Sequence, residues 1–184
     1  MYNNSRIEII LGCMFSGKST ELLRRINRYE AIGKKILIIN HVNDVRTDKS
    51  IKTHSNITKK AKKLYNLMPV IDSSEFIESE VIGIDESQFF TDLIEFVEIA
   101  EKFNKIIIIS GLDGDYLRKP IGQILQLIPM CDEVVKLTAL DMIDQDGSLA
   151  IFSKRIVNND NQVLVGSDES YIAVSRKNYL NDLK

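Results

Sequence analysis

Cysteine is scarce in this chain, and that scarcity is informative. Cys13 and Cys131 are the only two in 184 residues, and they stand far apart. A disulfide framework is therefore not expected, and a reduced, cytoplasmic protein fits best. No apolar run is long enough to span a bilayer, so no membrane partner is expected. Met1 to Arg6 lead straight into an apolar stretch with no leader pattern, and we expect no secretory signal. Strong positive charge is also missing. A net charge of -2 gives no bulk attraction to nucleic acid or anionic lipid, although local basic patches remain possible. No internal repeat is present. The remainder is 44% hydrophobic and 27% charged, a globular mix with enough length for one good-sized core and a small appendage.

The most informative segment is Gly12-Cys13-Met14-Phe15-Ser16-Gly17-Lys18-Ser19. It matches the phosphate-loop pattern G-x-x-x-x-G-K-[ST] without deviation. Glycine at both ends lets the backbone turn tightly, so that several N–H groups converge on one hollow. Lys18 adds a mobile cation for β- and γ-phosphates, and Ser19 a hydroxyl for Mg²⁺. A helix starting near Ser19 directs its positive end at the same anion. The surroundings agree. Arg6 to Leu11 is an apolar, β-branched strand pattern, and Leu22, Leu23, Ile26 and Tyr29 recur at helical spacing. Cys13 is either a small residue filling the loop or a thiol activated by the helix end and Lys18.

Further apolar runs alternate with helical patterns. Ile36–Ile39 follows Gly33, a candidate helix stop. Val81–Ile84 leads into Asp85-Glu86, and Leu93, Ile94, Phe96, Val97, Ala100 and Phe103 form a helical stripe. Lys105–Ser110 and Glu133–Leu137 read as two more strands. Continuous apolar strands separated by helices predict an α/β fold with a parallel sheet covered on both faces. Two regions break this rhythm. Residues 40–63 are polar and rich in lysine (Lys49, Lys52, Lys59, Lys60, Lys62, Lys63), which reads as a solvated, mobile loop or as a phosphate-contacting flap. From Asp141 onward the chain is turn-rich. Asn158-Asn159-Asp160-Asn161, between Ile151-Phe152 and Val163–Val165, predicts a hairpin. We divide the chain at 1–140, an ATP-binding α/β domain, and 141–184, a small β domain.

A phosphate loop needs an acidic partner at the end of another strand. Asp85 fits the role of holding Mg²⁺, directly or through water. Glu86 beside it points elsewhere and can serve a substrate hydroxyl as general base. The stretch Gly111 to Pro120 reads as a loop at the same sheet edge, where open α/β sheets bind ligands. In it, Asp113 and Arg118 could pair or contact substrate, and Tyr116 could stack on a flat ring; an ordinary surface loop is the other reading.

Taken together, Gly12–Thr20, Asp85–Phe89, Leu112–Pro120, Leu127–Pro129, Lys136–Ala139, Phe152–Arg155 and Val165–Asp168 resemble the type II thymidine kinases, in order and over nearly the whole chain. The resemblance implies a P-loop (RecA-like) parallel sheet flanked by helices, with a small C-terminal β lasso domain closing over the nucleoside. It implies transfer of the ATP γ-phosphoryl to the 5′-hydroxyl of thymidine, with Glu86 as base. The ATP site would comprise Gly12, Cys13, Met14, Phe15, Ser16, Gly17, Lys18, Ser19, Asp44, Arg46, Asp85 and Gln88, with Mg²⁺ held at Ser19 and Asp85. Nucleoside contacts would come from Met14, Phe89, Leu112, Tyr116, Ser153 and Tyr171. The main chain of Gln162, Val163, Leu164, Val165 and Gly166 would read the thymine edge. The resemblance also implies a homotetramer, often inhibited by thymidine triphosphate, with no nucleic-acid partner. A P-loop ATPase acting on nucleic acid is the alternative, supported by the lysine-rich stretch.

The chain departs from the family at three places. Asp44-Val45-Arg46 resembles the family's D-x-R segment, but Thr47 stands where a Tyr often follows. Pro is usual where Cys13 stands. The lasso domain of the family carries two C-x-x-C pairs for a structural Zn²⁺, and here they align with Asp141-Met142-Ile143-Asp144 and Ser175-Arg176-Lys177-Asn178. Tetrahedral zinc takes Cys or His by preference, and Ser or Asn would be poor ligands. We expect no structural zinc, with hydrogen bonds from the Asp pair to Ser175 or Asn178 holding the two segments together. Elemental analysis of purified protein should find zinc far below stoichiometry; a full equivalent would contradict this reading.

Overall fold

The computed structural model describes residues 4–44, 50–52, 58–157 and 170–181. In chain order the elements are β1 (Arg6–Gly12), α1 (Lys18–Ala31), β2 (Ile36–His41), β3 (Ser50–Lys52), β4 (Thr58–Lys60), β5 (Lys62–Leu64), α2 (Ser74–Glu78), β6 (Val81–Asp85), α3 (Leu93–Lys102), β7 (Ile106–Gly111), β8 (Glu133–Leu137), β9 (Ala139–Leu140), β10 (Leu149–Ala150), β11 (Phe152–Arg155), β12 (Tyr171–Val174) and α4 (Arg176–Asn181). Short 3-10 turns lie at Met68–Val70, Ser87–Phe89 and Ile124–Met130. Among the described residues, no helix is long and apolar enough to cross a membrane.

Six strands form one sheet in the order β5-β2-β6-β7-β1-β8, and every pairing in it is parallel. A parallel sheet needs crossovers, and these cover both faces. Side chains alternate between the faces accordingly. Ile7, Ile9 and Leu11, with Ile82, Ile84, Ile107 and Ile109, pack with Phe96, Val97 and Ala100 of α3. Ile10, Ile38, Val81 and Ile108 pack under Leu22, Leu23 and Ile26 of α1. The apolar runs were continuous in sequence because both faces are buried. Gly33 ends α1 as expected. It has φ 81, and the backbone N–H groups of Gly33 and Lys34 return to Glu30 and Tyr29.

A charged cluster, buried at Arg25 and Glu8, lies between α1 and the sheet. Glu8 on β1 stands in register beside Glu133 on β8, an arrangement that would repel if left alone. Arg25 of α1 resolves it. Its guanidinium reaches Glu8 at 2.6 Å, Glu133 at 2.8 Å and Glu21 at 2.8 Å. Arg6 adds bonds to Glu8 and Glu133 at 2.7 and 3.1 Å. Helix and sheet are thus tied at a fixed register.

The lysine-rich region is not a solvated loop over its described part. β3 and β4 pair antiparallel, Ile51 is fully buried against α1, and β5 joins the main sheet. Lys59 bonds Asn27 and Glu30 of α1 at 2.8 and 2.6 Å, and Lys62 pairs with Glu75 at 3.0 Å. One isoleucine among polar neighbours was too weak a periodic signal to reveal the hairpin. Among the described residues, the C-terminal segment forms a further strand pair. β11 pairs with β12, Phe152 opposite Val174 and Arg155 opposite Tyr171. The expected turn at Asn158–Asn161 and the strand at Val163–Val165 lie outside the described residues.

Replacing Arg25 by methionine breaks its buried pair with Glu8, leaves that carboxylate to Arg6, and should destabilise the fold by about 3 kcal/mol. Glu133→Gln, at a side chain 42% exposed, should cost under about 1 kcal/mol. Denaturant midpoints of the two variants against the parent check this.

Candidate active site

A parallel sheet delivers all its strand ends to one edge. Gly12, His41, Asp85, Gly111 and Leu137 close their strands there. The phosphate loop leaves β1 at Gly12 with φ 153. A Cβ at Gly12 would lie 2.6 Å from both the Leu137 carbonyl oxygen and Ser16 Oγ, so only glycine fits. Within the loop, Ser16 Oγ and Lys18 Nζ both donate to the Cys13 carbonyl, at 2.8 and 2.6 Å. Phe15 is left-handed, φ 63. Burial pushes the Lys18 ammonium below its usual range, opposed by the carboxylates of Glu86, Asp85 and Asp113. The loop lysine, at the start of α1, and Asp85, at the end of β6, stand at the same sheet edge. The cradle closed by Gly12 suits a phosphate. Ser19 and Asp85 offer hard oxygen donors, the chemistry Mg²⁺ takes.

Cys13 is not exposed for reaction. It is 1% accessible, Sγ approaches the Ala150 carbonyl at 3.5 Å, and burial pushes its thiol up. It packs with Ala139, Ala150, Ala173 and Phe15. The Met14 N–H donates to Ser153 Oγ at 2.9 Å. Two consecutive loop residues therefore hold the C-terminal β elements against the phosphate loop.

Asp85 and Glu86 diverge as their adjacency requires. Asp85 is buried and accepts from Ser110 Oγ at 2.5 Å. Glu86 turns the chain with φ 52, a left-handed conformation that costs a non-glycine residue about 1–3 kcal/mol and recurs at functional sites. Gln88 secures it. Its amide donates to Glu86 Oε2 at 2.6 Å and accepts from the Leu112 N–H at 3.0 Å. Gly122, at φ 64, lets its backbone press against Gln88: a Cβ there would be 2.3 Å from the Gln88 carbonyl oxygen. Gln88 is thus a strut between Glu86 and the loop after β7. Phe89 packs on His41, ring centroids 5.4 Å apart.

Asp44 joins this edge through Asn40, whose amide donates to it at 2.7 Å, and through Lys63, which donates to its carbonyl oxygen at 2.6 Å. Arg46 lies outside the described residues. Lys63, Asn40, Asp85 and Ser110 occupy one register row across β5, β2, β6 and β7. They share the face covered by α1.

Asp115 accepts from the Leu117 and Lys119 N–H groups at 2.9 and 2.8 Å and shapes the loop after β7. Asp113 pairs with Lys136 at 2.5 Å. Arg118 stacks on Tyr179 and Phe152 at 4.6 and 5.5 Å, so the two do not pair with each other. Tyr179 Oη donates to the Tyr116 carbonyl at 2.8 Å. Tyr116 and Tyr171 are brought together by Arg155, which contacts both. Gln162 to Gly166 lie outside the described residues.

The four positions aligned with zinc ligands form a hydrogen-bonded hub. Buried Asp141 accepts from the Ser175 N–H, from Asn178 Nδ2 at 2.9 Å, and from the Ile143 and Asp144 N–H groups at 2.8 and 2.9 Å. Burial opposes its ionisation, but these bonds prevail and hold the carboxyl well below its usual range. Lys177 pairs with Asp144 at 3.0 Å.

Asn40, His41, Ser110 and Arg155 were missed as participants. The first three share a signal: polar residues ending an apolar strand run, at the edge where a parallel sheet binds ligands. His41 is 4% accessible, and its Nδ1 accepts from the Asn43 N–H at 3.1 Å, which fixes the turn leading to Asp44. Burial pushes the imidazole below its ordinary 6.5, against the Tyr65 carbonyl bond and the Glu86 charge. Below that value the unfolded chain takes the proton first, so His41 contributes stability above 6.5 and loses it as pH falls. Stability measured from about pH 7 down to about pH 5 should therefore decline more steeply in the parent than in His41→Gln.

Known proteins agree with this assembly. The chain is 41% identical over 180 residues to the thymidine kinase of Raccoon poxvirus, covering 98% of this chain and 99% of the relative. It is 44% identical over 179 residues to that of Yaba monkey tumor virus, covering 96% and 97%. Against the thymidine kinase of Vaccinia virus strain Western Reserve it is 41% identical over 179 residues, covering 97% and 99%. Among solved structures, the flagellar accessory protein FlaH of Methanocaldococcus jannaschii shares the fold, with a TM-score of 0.50 at 16% identity over 77% of this chain and 74% of that one. The family model described as thymidine kinase matches residues 5–179, and the chain belongs to the thymidine kinase family.

Proposed function

We propose that this chain carries out the family's reaction, ATP-dependent phosphorylation of thymidine, with Glu86 as the general base. The observation that carries the assignment of Glu86 is its strut: a left-handed residue fixed by Gln88 to the loop after β7, following β6 at the sheet edge where Lys18 begins α1. Glu86 takes the proton of the 5′-hydroxyl as that oxygen attacks the γ-phosphorus. The bond to the bridging oxygen breaks, and ADP leaves with thymidine monophosphate as the other product. Lys18 and the N–H groups of residues 12–19 would hold the β- and γ-phosphates. Mg²⁺ bound at Ser19 and Asp85 would neutralise phosphate charge, which with positioning is most of what phosphoryl transfer requires.

Asp44 and Arg46 belong to the phosphate side of this reading. Met14, Phe89, Leu112, Tyr116, Ser153, Tyr171 and the 162–166 main chain belong to the nucleoside side. The reading includes the division at residue 140, with the segment after it closing over the nucleoside and excluding water as a competing acceptor. It includes a homotetramer in the cytoplasm and no nucleic-acid partner. Lys59, Lys62 and Lys63, which favoured a nucleic-acid reading, are engaged by Glu30, Glu75 and Asp44.

Glu86→Gln keeps the hydrogen-bonding shape and removes the base. Thymidine phosphorylation should fall by about 10² to 10⁴ while ATP binding, measured by titration calorimetry, persists. A near-parental rate removes Glu86 from the role. ATP turnover that responds to single-stranded DNA and not to thymidine overturns the kinase reading.

A further inference from the structure

We propose that Arg155 is a positioning residue of the nucleoside pocket, one planar cation that sets the spacing between Tyr116 and Tyr171. The proposal rests on the kinase reading above, which assigns those two tyrosines to the nucleoside. The pairing of β11 with β12 places Arg155 directly opposite Tyr171, so the two side chains leave the same face of the ribbon. Arg155 donates to Tyr171 Oη from Nη2 at 2.6 Å and from Nε at 3.2 Å. Its guanidinium carbon stands 3.9 Å from the centroid of the Tyr116 ring and 5.2 Å from that of Tyr171.

These contacts use properties that only arginine combines. Its flat guanidinium is weakly hydrated, stacks on aromatic faces and presents donors in a rigid fork. One group therefore stacks on a ring from the β7 loop while bonding the hydroxyl of a tyrosine on β12. The two tyrosines come from separate parts of the chain. Tyr116 belongs to the loop shaped by Asp115 and anchored through Tyr179 Oη. Tyr171 is buried at the start of β12. Arg155 is the strap between them, while the phosphate loop is held separately, through Cys13 and the Met14 N–H. Removal of Arg155 should loosen the nucleoside wall and leave the ATP cradle intact.

The experiment measures thymidine and ATP affinity separately in the parent, R155M, R155K, Y171F and the R155M/Y171F double variant, with a melting curve for each. R155M should bind thymidine roughly ten- to a hundredfold more weakly, the range for losing charged hydrogen bonds. ATP affinity should stay within about twofold of the parent. R155K, with charge but no plane or fork, should not restore thymidine binding. The double variant should be weaker than the worse single variant by much less than the product of the two effects. The chain contains no tryptophan, so near-ultraviolet circular dichroism reports mainly its tyrosines. R155M should change that spectrum in the absence of any ligand. Thymidine binding unchanged in R155M overturns the proposal, and so does an equal loss of ATP and thymidine binding, full rescue by R155K, or an unchanged spectrum. A parent that binds ATP but no thymidine overturns the kinase reading itself, and the proposal with it.

Discussion

The architecture depends on one constraint: all six strands of the main sheet run the same way. Parallel strands cannot be joined by tight turns, so each connection must cross a face and return to the opposite edge. The loops that follow β1, β2, β6, β7 and β8 consequently meet at one edge. The phosphate loop, the Asn40–Asp44 turn, the Asp85-Glu86 pair and the Tyr116 loop are neighbours for that reason. Strand order then sets their spacing. β7 lies between β1 and β6, so the phosphate loop and Asp85 are two interstrand steps apart, roughly 10 Å. Ser110 at the end of β7 fills the middle of that interval and bonds Asp85.

Pleat parity supplies a second level of control. Within the sheet, residues at one register position on neighbouring strands face the same way. Lys63, Asn40, Asp85 and Ser110 therefore lie on the α1 face, and α1 begins with Lys18 at the same sheet edge. Arg25 fixes α1 over β1 and β8 through Glu8 and Glu133. The helix end that completes the phosphate loop is thus held by an ion cluster well away from it. The C-terminal elements are fastened to the same loop, through the Cys13 side chain and the Met14 N–H. In place of cysteine thiolates, the Asp141 hub joins their two segments through Ser175 and Asn178.

Much of this was legible before any coordinates. Continuous apolar runs announced strands buried on both faces, and the alternation with helical stripes announced parallel order. Gly12–Ser19 and Asp85-Glu86 were visible because they are short, local motifs with a fixed chemical purpose. The hairpin of β3 and β4 was hidden because only Ile51 marks its buried side. The pairing of β11 with β12 was hidden because it joins segments separated by a long turn-rich stretch. The work of Gln88 as a strut was hidden because it needs Leu112, which stands far away along the chain.

By itself the sequence determined the fold class, the phosphate loop and the acidic pair, because each is encoded in contiguous residues obeying local rules of periodicity and turn geometry. Tertiary structure decided which side chains meet. Arg155 stacking on Tyr116, Asp113 choosing Lys136 over Arg118, and Asp141 accepting from Ser175 and Asn178 are contacts between distant segments. Their partners are selected by strand register and loop packing, which no local pattern of residues records.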